Sequence, residues 1–445
     1  MNTVTKTSPV LGPVWLASGE QDVTRKSKDS DLNTPRVSKP RSSRTVKQHH
    51  PKNGLQGVDE TERDLTHWLN RVGLLFDPFT PLDAGDDARL NTYLIGSDIF
   101  EYVLWGDWHS FLFAPQGGGK TAFRVRLAHE CRVGRDGRSI FPIPYRLTTG
   151  MTPEEHLDQL GRAAAAELLL ELVHQPTRFE RLSNGARRDV RQAIEAAAPG
   201  LLGQYLPQLD ELGSPSPLVQ AFDPSASHLP NPPHEQHVRT LVAAFAELQE
   251  LARPSSEARQ PFDRLLAIVC KELQYESVYI LLDGVDDRPE AARDPAFALR
   301  WLEPIGRLVH EREAPNVFLK AFFPEDFRHL IGDSELSRLT GAVRSTSISW
   351  DAQQLIEMLR VRVSAASEGA FDSLDAISGP RLRHIERTLV EAAGLLPRNV
   401  LALAHQLLVE HIRRTKAAEY LEPEDLRAAL DHYNQIQRFS STASL

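Results

Sequence analysis

The stretch FLFAPQGGGKTAFRVRL, residues 111–127, sets three consecutive glycines between an apolar run and a helical pattern. The apolar run at 110–114 predicts a buried strand, and the spacing of apolar residues over 123–131 predicts a helix. The glycines at 117–119 carry no side chain and adopt positive φ without strain. Bare backbone between a strand and a helix N-terminus lets several N–H groups converge on one anion. The stretch therefore predicts a strand, a phosphate-binding loop and a helix in succession.

Residues 114–121 match the pattern (A/G)-x-x-x-x-G-K-(S/T), with Ala114 where glycine is usual. Alanine is the smallest alternative at the point where the strand turns into the loop. In this pattern Lys120 reaches the terminal phosphates, and the hydroxyl of Thr121 binds Mg²⁺. The expected nucleotide-binding residues are Ala114, Pro115, Gln116, Gly117, Gly118, Gly119, Lys120, Thr121 and Ala122. The alternative, an ordinary glycine-rich turn, stays open on this stretch alone.

A second apolar run, SVYILLDGVDD at 277–287, ends in acidic residues. It predicts a buried strand, because an unbroken apolar run precedes Asp283. An acid at the end of a strand beside a phosphate loop holds Mg²⁺, so Asp283 and Thr121 are the predicted metal-binding residues. Asp286 and Asp287 are predicted to orient the attacking water. The alternative is an acidic turn that merely follows a strand.

Composition limits the range of functions. The chain has 445 residues, a formal charge of −9 and two cysteines. Its length indicates two or three domains, and its charge argues against a body built wholly to coat nucleic acid. Two cysteines allow neither a disulfide framework nor a zinc site, which favours a reducing cytoplasm. No window approaches about 18 consecutive apolar residues, so we expect a cytoplasmic protein without a membrane partner.

The pattern along the chain suggests several segments. Residues 1–60 are rich in Ser, Thr, Pro, Lys and Arg and predict a disordered tail. Its basic charge allows two interpretations, an arm for nucleic acid or anionic lipid and, favoured here, a solvated tail. Residues 61–108 are predicted to form a helical lead-in, with two stretches of helical pattern at 65–79 and 90–104. The remaining predicted segments are a sheet-containing core at 109–148 and 262–350, a helical insertion at 149–261, a helical region at 351–436 and a tail at 437–445.

Two further motifs resemble those of a known family. ILLDGVDD at 280–287 resembles the hhhhDGhDE signature of the STAND class of P-loop ATPases, close relatives of the AAA+ ATPases. GLLPRNVLALAHQLL at 394–408 resembles the segment in which AAA+ proteins carry their second sensor arginine, here Arg398. Pro397 predicts a helix start that places Arg398 in the first turn. The resemblance implies an α/β P-loop NTPase fold: a three-layer core with a parallel five-stranded sheet, a helical insertion and a C-terminal all-helical lid.

The chain departs from the family pattern at three points. Thr121 and Asp283 are 162 positions apart, which is long for the family and requires the helical insertion. Asp287 stands where the family usually has glutamate, which implies slow hydrolysis. The expected sensor strand, at 316–323, is followed by Pro324 and offers no polar residue at its end. Lys320 and Glu325 are the substitutes that remain for that role.

The resemblance implies ATP and Mg²⁺ as ligands, and the missing guanine-specifying N/T-K-x-D pattern favours adenine. An arginine finger donated by a neighbouring subunit is common in this class, and Arg338 and Arg344 lie where such a residue falls. A homo-oligomer is therefore a candidate assembly, and a protein effector or nucleic acid is a candidate partner. The expected catalytic residues are Asp286, Asp287, Arg398 and Arg338.

The function that the resemblance implies is a nucleotide-dependent switch with ATPase activity, in bacterial signalling or defence against phage. Two rivals stay open. One is an oligomeric motor or remodeller acting on nucleic acid or protein, which requires stimulated turnover. The other is a scaffold with a degenerate site that does not hydrolyse ATP.

Overall fold

The computed structural model is built around one parallel β-sheet. It describes residues 55–95, 98–147, 153–229, 233–249, 261–287, 294, 296, 299–300, 302–310, 316–332, 334–416 and 419–442. The strands are β1 (His109–Ala114), β2 (Ile140–Arg146), β3 (Ser277–Asp283), β4 (Val317–Pro324) and β5 (Val343–Ser347). Their order across the sheet is β2-β3-β4-β1-β5, and every neighbouring pair is parallel. The expected α/β class and five-stranded parallel sheet are confirmed, whereas the basic tail predicted at 1–60 lies almost wholly outside the described residues.

Both faces of the inner strands are covered, so these strands are mostly apolar, whereas the edge strand β5, VRSTS, has no buried residue. All seven residues of β3 are buried. Alternate residues of β1 point to opposite faces, so Phe111 belongs to one hydrophobic cluster and Leu112 to another. The register sets Ala114 beside Pro324 and Arg146 beside Asp283. The carboxyl ends of four strands therefore meet at one edge, where the glycine loop begins.

Helices from the middle of the chain pack against the sheet. Phe141 and Ile143 of β2 share one hydrophobic cluster with Leu168, Val190 and Phe245 from these helices. They are α3 (Pro153–His174), α4 (Pro176–Glu180), α5 (Asn184–Ala197), α6 (Leu201–Leu212), α7 (Ser216–Phe222), α8 (Glu235–Gln249) and α9 (Pro261–Ala267), and they follow α1 (Leu55–Val72) and α2 (Lys120–Arg132). The segment predicted as an insertion thus shares its core with the sheet.

A buried cluster of three charged side chains connects α2 to these helices. Nη2 of Arg132 lies 2.7 Å from Oε2 of Glu167 and 2.7 Å from Oδ2 of Asp223. The three side chains are 2–5 % exposed. Charges removed from water in this way require close partners, so the end of α2 is held in one position relative to α3.

The C-terminal helices form a second hydrophobic cluster that includes α1. Leu65 and Trp68 of α1 pack with Leu359 and Leu407 in this cluster. The smaller helices before this region are α10 (Glu303–His310), α11 (Arg328–Ile331) and α12 (Glu335–Thr340); those we call the C-terminal helices are α13 (Ala352–Ala366), α14 (Ile385–Ala393), α15 (Pro397–Arg414) and α16 (Pro423–Thr442). Pro397 lies in the first turn of α15, which confirms the predicted helix start. Among the described residues, no helix combines the length and apolar character needed to cross a bilayer.

The predicted second helix of the lead-in is present only in part. The described part of 90–104 contains a 3₁₀ turn at Leu90–Thr92 and, from residue 98, a short helix that continues as a π-helical turn at Phe100–Leu104. Leu90 and Tyr93 instead pack against Val125 of α2. Tertiary contacts with α2 therefore override the local helical pattern.

Candidate functional site

The loop between β1 and α2 needs glycine at three successive positions. Gly117 has φ 77° and Gly119 has φ 101°, both in the left-handed region. Gly119 is also the residue that caps α2. A Cβ at Gly118 would lie 2.9 Å from both the Cβ of Ala114 and the carbonyl oxygen of Pro115. The loop thus leads bare backbone directly into a helix N-terminus, which is an arrangement that attracts anions.

Lys120 folds back over the loop. Its ammonium group donates hydrogen bonds to the carbonyl oxygens of Ala114, at 3.1 Å, and Pro115, at 3.2 Å. It also lies 2.9 Å from Oδ2 of Asp286. The side chain is only 6 % exposed, so its charge is held at the loop beside one carboxylate.

Thr121 and Asp283 meet across the cleft. The Thr121 hydroxyl donates to Oδ2 of Asp283 at 2.8 Å, and the Gly284 N–H donates to Oδ1 at 2.9 Å. Nε of Arg124 lies 3.4 Å from the same Oδ2 atom. A hydroxyl and a carboxylate are oxygen ligands of the kind that Mg²⁺ prefers when phosphates complete its shell. The part of the chain that the structure describes holds no cluster of three His, Cys, Asp or Glu able to bind a metal by itself.

Asp287 is paired with an arginine that sequence reasoning missed. Nη2 of Arg146 lies 2.9 Å from Oδ2 of Asp287, and its Nε donates to the same oxygen at 3.0 Å. Arg146 is the last residue of β2 and lies opposite Asp283 in the sheet register. The usable signal was a charged residue at the end of an apolar strand. The two predicted water-orienting acids therefore have different partners, Lys120 for Asp286 and Arg146 for Asp287.

The loop, the acids and the C-terminal helices line one cleft of about 950 Å³, including space open to solvent. Its polar end contains the loop and Asp283, and Arg398 reaches it from α15. The backbone N–H of Arg398 donates to the carbonyl oxygen of Gly117 at 3.3 Å. The apolar end, which sequence reasoning also missed, is lined by Leu90, Tyr93, Leu94, Ile95, Met358 and Leu401. A cleft with a charged and an apolar end suits a ligand of the same character.

A buried ion pair fixes the wall of this cleft. Nη2 of Arg362, on α13, lies 3.2 Å from Oδ2 of Asp87, and its Nη1 donates to the carbonyl oxygen of Pro78 at 3.0 Å. The hydroxyl of Tyr93 donates to the same carboxylate. Burial, together with the Asp87 charge and against the attraction of Arg362, raises the pKa of Tyr93 above its usual value. The segment before β1 is thereby held against the C-terminal helices.

We expect the Asp87→Asn variant to lose about 3 kcal/mol of stability, because the Arg362 charge stays buried without its counter-ion. Asp86→Asn is the matched control, since Asp86 is the exposed neighbour of buried Asp87. Urea unfolding followed by circular dichroism measures both. Equal unfolding midpoints for the two variants would contradict the prediction.

The substitutes proposed for a polar sensor do not line the cleft. Lys320 lies opposite Ser110, near the start of β1 and away from Ala114. Its ammonium group donates to the carbonyl oxygens of Gly106, at 2.8 Å, and Trp108, at 2.7 Å. Glu325 accepts a hydrogen bond from the Ser347 hydroxyl at 2.8 Å. The Lys320 hypothesis is wrong because its four-carbon stem runs to the opposite end of the sheet.

Burial lowers the pKa of Lys320 to about 7, below the 10.5 of an exposed lysine. Between these two values the unfolded chain binds more protons, so stability rises with pH. Between pH 7 and 9 we expect the free energy of unfolding of the natural chain to increase by roughly 2 kcal/mol more than that of Lys320→Met. Urea unfolding at both pH values measures the difference. Parallel pH profiles for the two proteins would contradict it.

The candidate finger residues lie away from the cleft of their own chain. The side chain of Arg338 is 70 % exposed, and its Nη2 lies 2.9 Å from Oε2 of Glu335. Arg344 stacks on the Trp108 ring, with its Cζ 3.4 Å from the ring centroid. Arg344 also sits opposite Ser110 in the register, near the start of β1. Any contact of Arg338 with a nucleotide would therefore have to be with that of a neighbouring copy.

Comparison with known proteins adds no relative. No protein-family model, curated protein or solved structure matches the chain.

Proposed function

We propose that the chain is a P-loop ATPase of the AAA+/STAND type that works as a nucleotide-dependent switch. The contact between Thr121 and Asp283 carries the proposal, since it joins two motifs 162 positions apart at 2.8 Å. An ordinary glycine-rich turn gives no reason for a hydroxyl to meet the acid at the end of another strand. The pairing of Lys120 with Asp286 in the same cleft supports the same interpretation.

The two ends of the cleft match the two ends of ATP. The loop N–H groups and the start of α2 would hold the phosphates, where the helix dipole favours negative charge. Lys120 would exchange its carboxylate partner, Asp286, for the terminal phosphates. The apolar end around Tyr93 and Met358 would bury the adenine ring. This division of the cleft favours a nucleotide over inorganic phosphate alone.

Mg²⁺ fits the polar end of the cleft. Thr121 and Asp283 are the residues that would hold it, and both supply oxygen. When bound, the ion neutralises charge on the β- and γ-phosphates. Asp283 is 2 % exposed and already anchored by the Gly284 N–H, so its carboxylate is presented without a large rearrangement.

The length and the pairing of the acidic residue Asp287 predict slow hydrolysis of ATP. Asp287 has one methylene fewer than glutamate and is held by Arg146 at 2.9 Å. A carboxylate engaged with a guanidinium is a weaker acceptor for the proton of the attacking water. Such a site favours long occupancy by ATP, which suits a switch better than a motor. The C-terminal helices would act as the lid, with Arg398 contacting phosphates from the first turn of α15.

Removing Mg²⁺ with EDTA should weaken ATP binding by more than about tenfold, a loss of 1.4 kcal/mol or more. In Asp283→Asn we expect Mg²⁺ to increase the affinity for ATP by less than about threefold, because the metal loses its charged protein ligand. Asp86→Asn, exposed and outside the cleft lining, should keep the full gain. Calorimetric titration with ATP, with and without MgCl₂, measures all three proteins.

Absence of ATP binding by the natural chain would overturn the proposed function. Brisk turnover stimulated by DNA or by protein concentration would instead favour the motor. Binding without any hydrolysis would favour the scaffold. Where turnover is brisk, the concentration dependence of turnover in Arg338→Ala tests whether a neighbouring copy contributes Arg338.

A further inference from the structure

Trp350 occupies the junction between the sheet and the C-terminal helices. It follows β5 and immediately precedes Asp351, the residue that caps α13. Its side chain packs against the hydrophobic cluster of α2 and the sheet and also against that of the C-terminal helices. A single indole ring therefore touches both parts of the molecule.

The same ring contacts the glycine loop directly. The indole N–H of Trp350 donates to the carbonyl oxygen of Gly118 at 2.9 Å. The ring also lies 3.3 Å from the position that a Cβ on Gly119 would take. Trp350 thus packs against the glycine loop and, together with the loop, forms part of the cleft lining.

A loop that turns its N–H groups toward an anion must satisfy its outward carbonyl groups elsewhere. Here both donors come from beyond β5. Trp350 serves the carbonyl of Gly118, and the N–H of Arg398 serves that of Gly117 at 3.3 Å. The orientation of two successive peptide groups in the loop is therefore fixed by this side of the molecule.

We infer that Trp350 is a positioning residue that holds the glycine loop ready for an anion and links the loop to the C-terminal helices. That this anion is the phosphate chain of ATP rests on the proposed function. The ordering of the loop by Trp350 does not rest on it, because the loop is ordered before any ligand binds. A preset loop avoids the entropy of ordering its glycines when ligand binds, which raises affinity.

The Trp350→Phe variant tests the inference because it keeps an aromatic ring and removes the N–H donor. Without nucleotide, we expect amide hydrogen exchange in the peptide covering residues 114–123 to accelerate between about twofold and tenfold, the range for one neutral hydrogen bond. ATP affinity should fall by a similar factor. A tryptophan analogue with sulfur in place of the indole N–H gives the same test with the ring shape kept, should phenylalanine destabilise the fold.

Trp108→Phe is the matched control. Its indole N–H also donates to a carbonyl oxygen, that of Val103 at 2.7 Å, near the start of β1. A loss of stability alone would lower the melting temperature of both variants and change exchange of the 114–123 peptide to the same extent in both. We expect faster loop exchange in Trp350→Phe only.

Equal loop exchange in the two variants, or none above that of the natural chain, would overturn the role of Trp350. The exchange experiment contains no nucleotide, so its outcome stands apart from the proposed function. Faster exchange in a chain that never binds ATP would keep the positioning role and remove the ATPase proposal.

Discussion

Lys120→Ala should lower the affinity for ATP between about tenfold and a hundredfold. Under the proposed function the lost ammonium group would make charge-assisted contacts of about 1.5–3 kcal/mol with phosphate, and about 1.4 kcal/mol is a factor of ten. The substitution also removes the counter-ion of Asp286, which lies 2.9 Å from Nζ in the natural chain. That carboxylate would then repel the phosphates. Calorimetric titration with ATP and MgCl₂ measures the change.

Two variants separate phosphate binding from a general loss of charge. Lys271→Ala removes an exposed lysine outside the cleft and should bind ATP as the natural chain does. The double variant Lys120→Ala with Asp286→Asn should recover part of the lost affinity, because the repelling carboxylate is gone. Unchanged ATP affinity in Lys120→Ala would mean that the glycine loop does not bind phosphate.

Asp287→Asn should reduce the turnover of ATP by about a hundredfold while ATP affinity changes by less than about twofold. A positioned base contributes about 10²–10⁴ to the rate, whereas Asp287 already pairs with Arg146 and not with Lys120. Steady-state phosphate release gives the rate, and titration with ATP gives the affinity. The acid that pairs with the loop lysine, Asp286, should instead affect binding when it is replaced.

Arg146→Gln is the informative companion to this variant. It releases Asp287 from the guanidinium that lies 2.9 Å away, so we expect faster turnover than in the natural chain. The double variant with Asp287→Asn should be as slow as Asp287→Asn alone. Natural turnover in Asp287→Asn would transfer the role of orienting water to Asp286.

The strands were predictable because of how parallel sheets are buried. A strand covered on both faces, such as β3, is apolar along most of its length, here from Val278 to Leu282, and this run is recognisable in the sequence. The glycine loop was predictable because left-handed backbone and close packing at 117–119 exclude other residues. The order of the strands was not, since an apolar run carries no record of its neighbours.

The missed residues have partners far along the chain. Arg146 meets Asp287 across 141 positions, and Arg362 meets Asp87 across 275. Trp350 bonds to a loop 232 positions away. Periodicity reports which face of an element is buried but not what covers it. Lys320 is an opposite case, in which a residue suggested a functional site where there is none. Its ammonium group lies in an apolar strand and donates hydrogen bonds to two backbone carbonyl groups near the start of β1.

The packing of α1 with the C-terminal helices has a mechanical consequence. Since Trp68 of α1 shares a cluster with Leu407 of α15, α1 and the C-terminal helices pack as one body beside the sheet. That body is joined to the sheet by two separate passages of backbone, one ahead of β1 and the other at Trp350. Any movement of this body relative to the sheet would therefore have to bend the backbone at these two passages, and it would also have to break the hydrogen bond between the Arg398 N–H and the Gly117 carbonyl group.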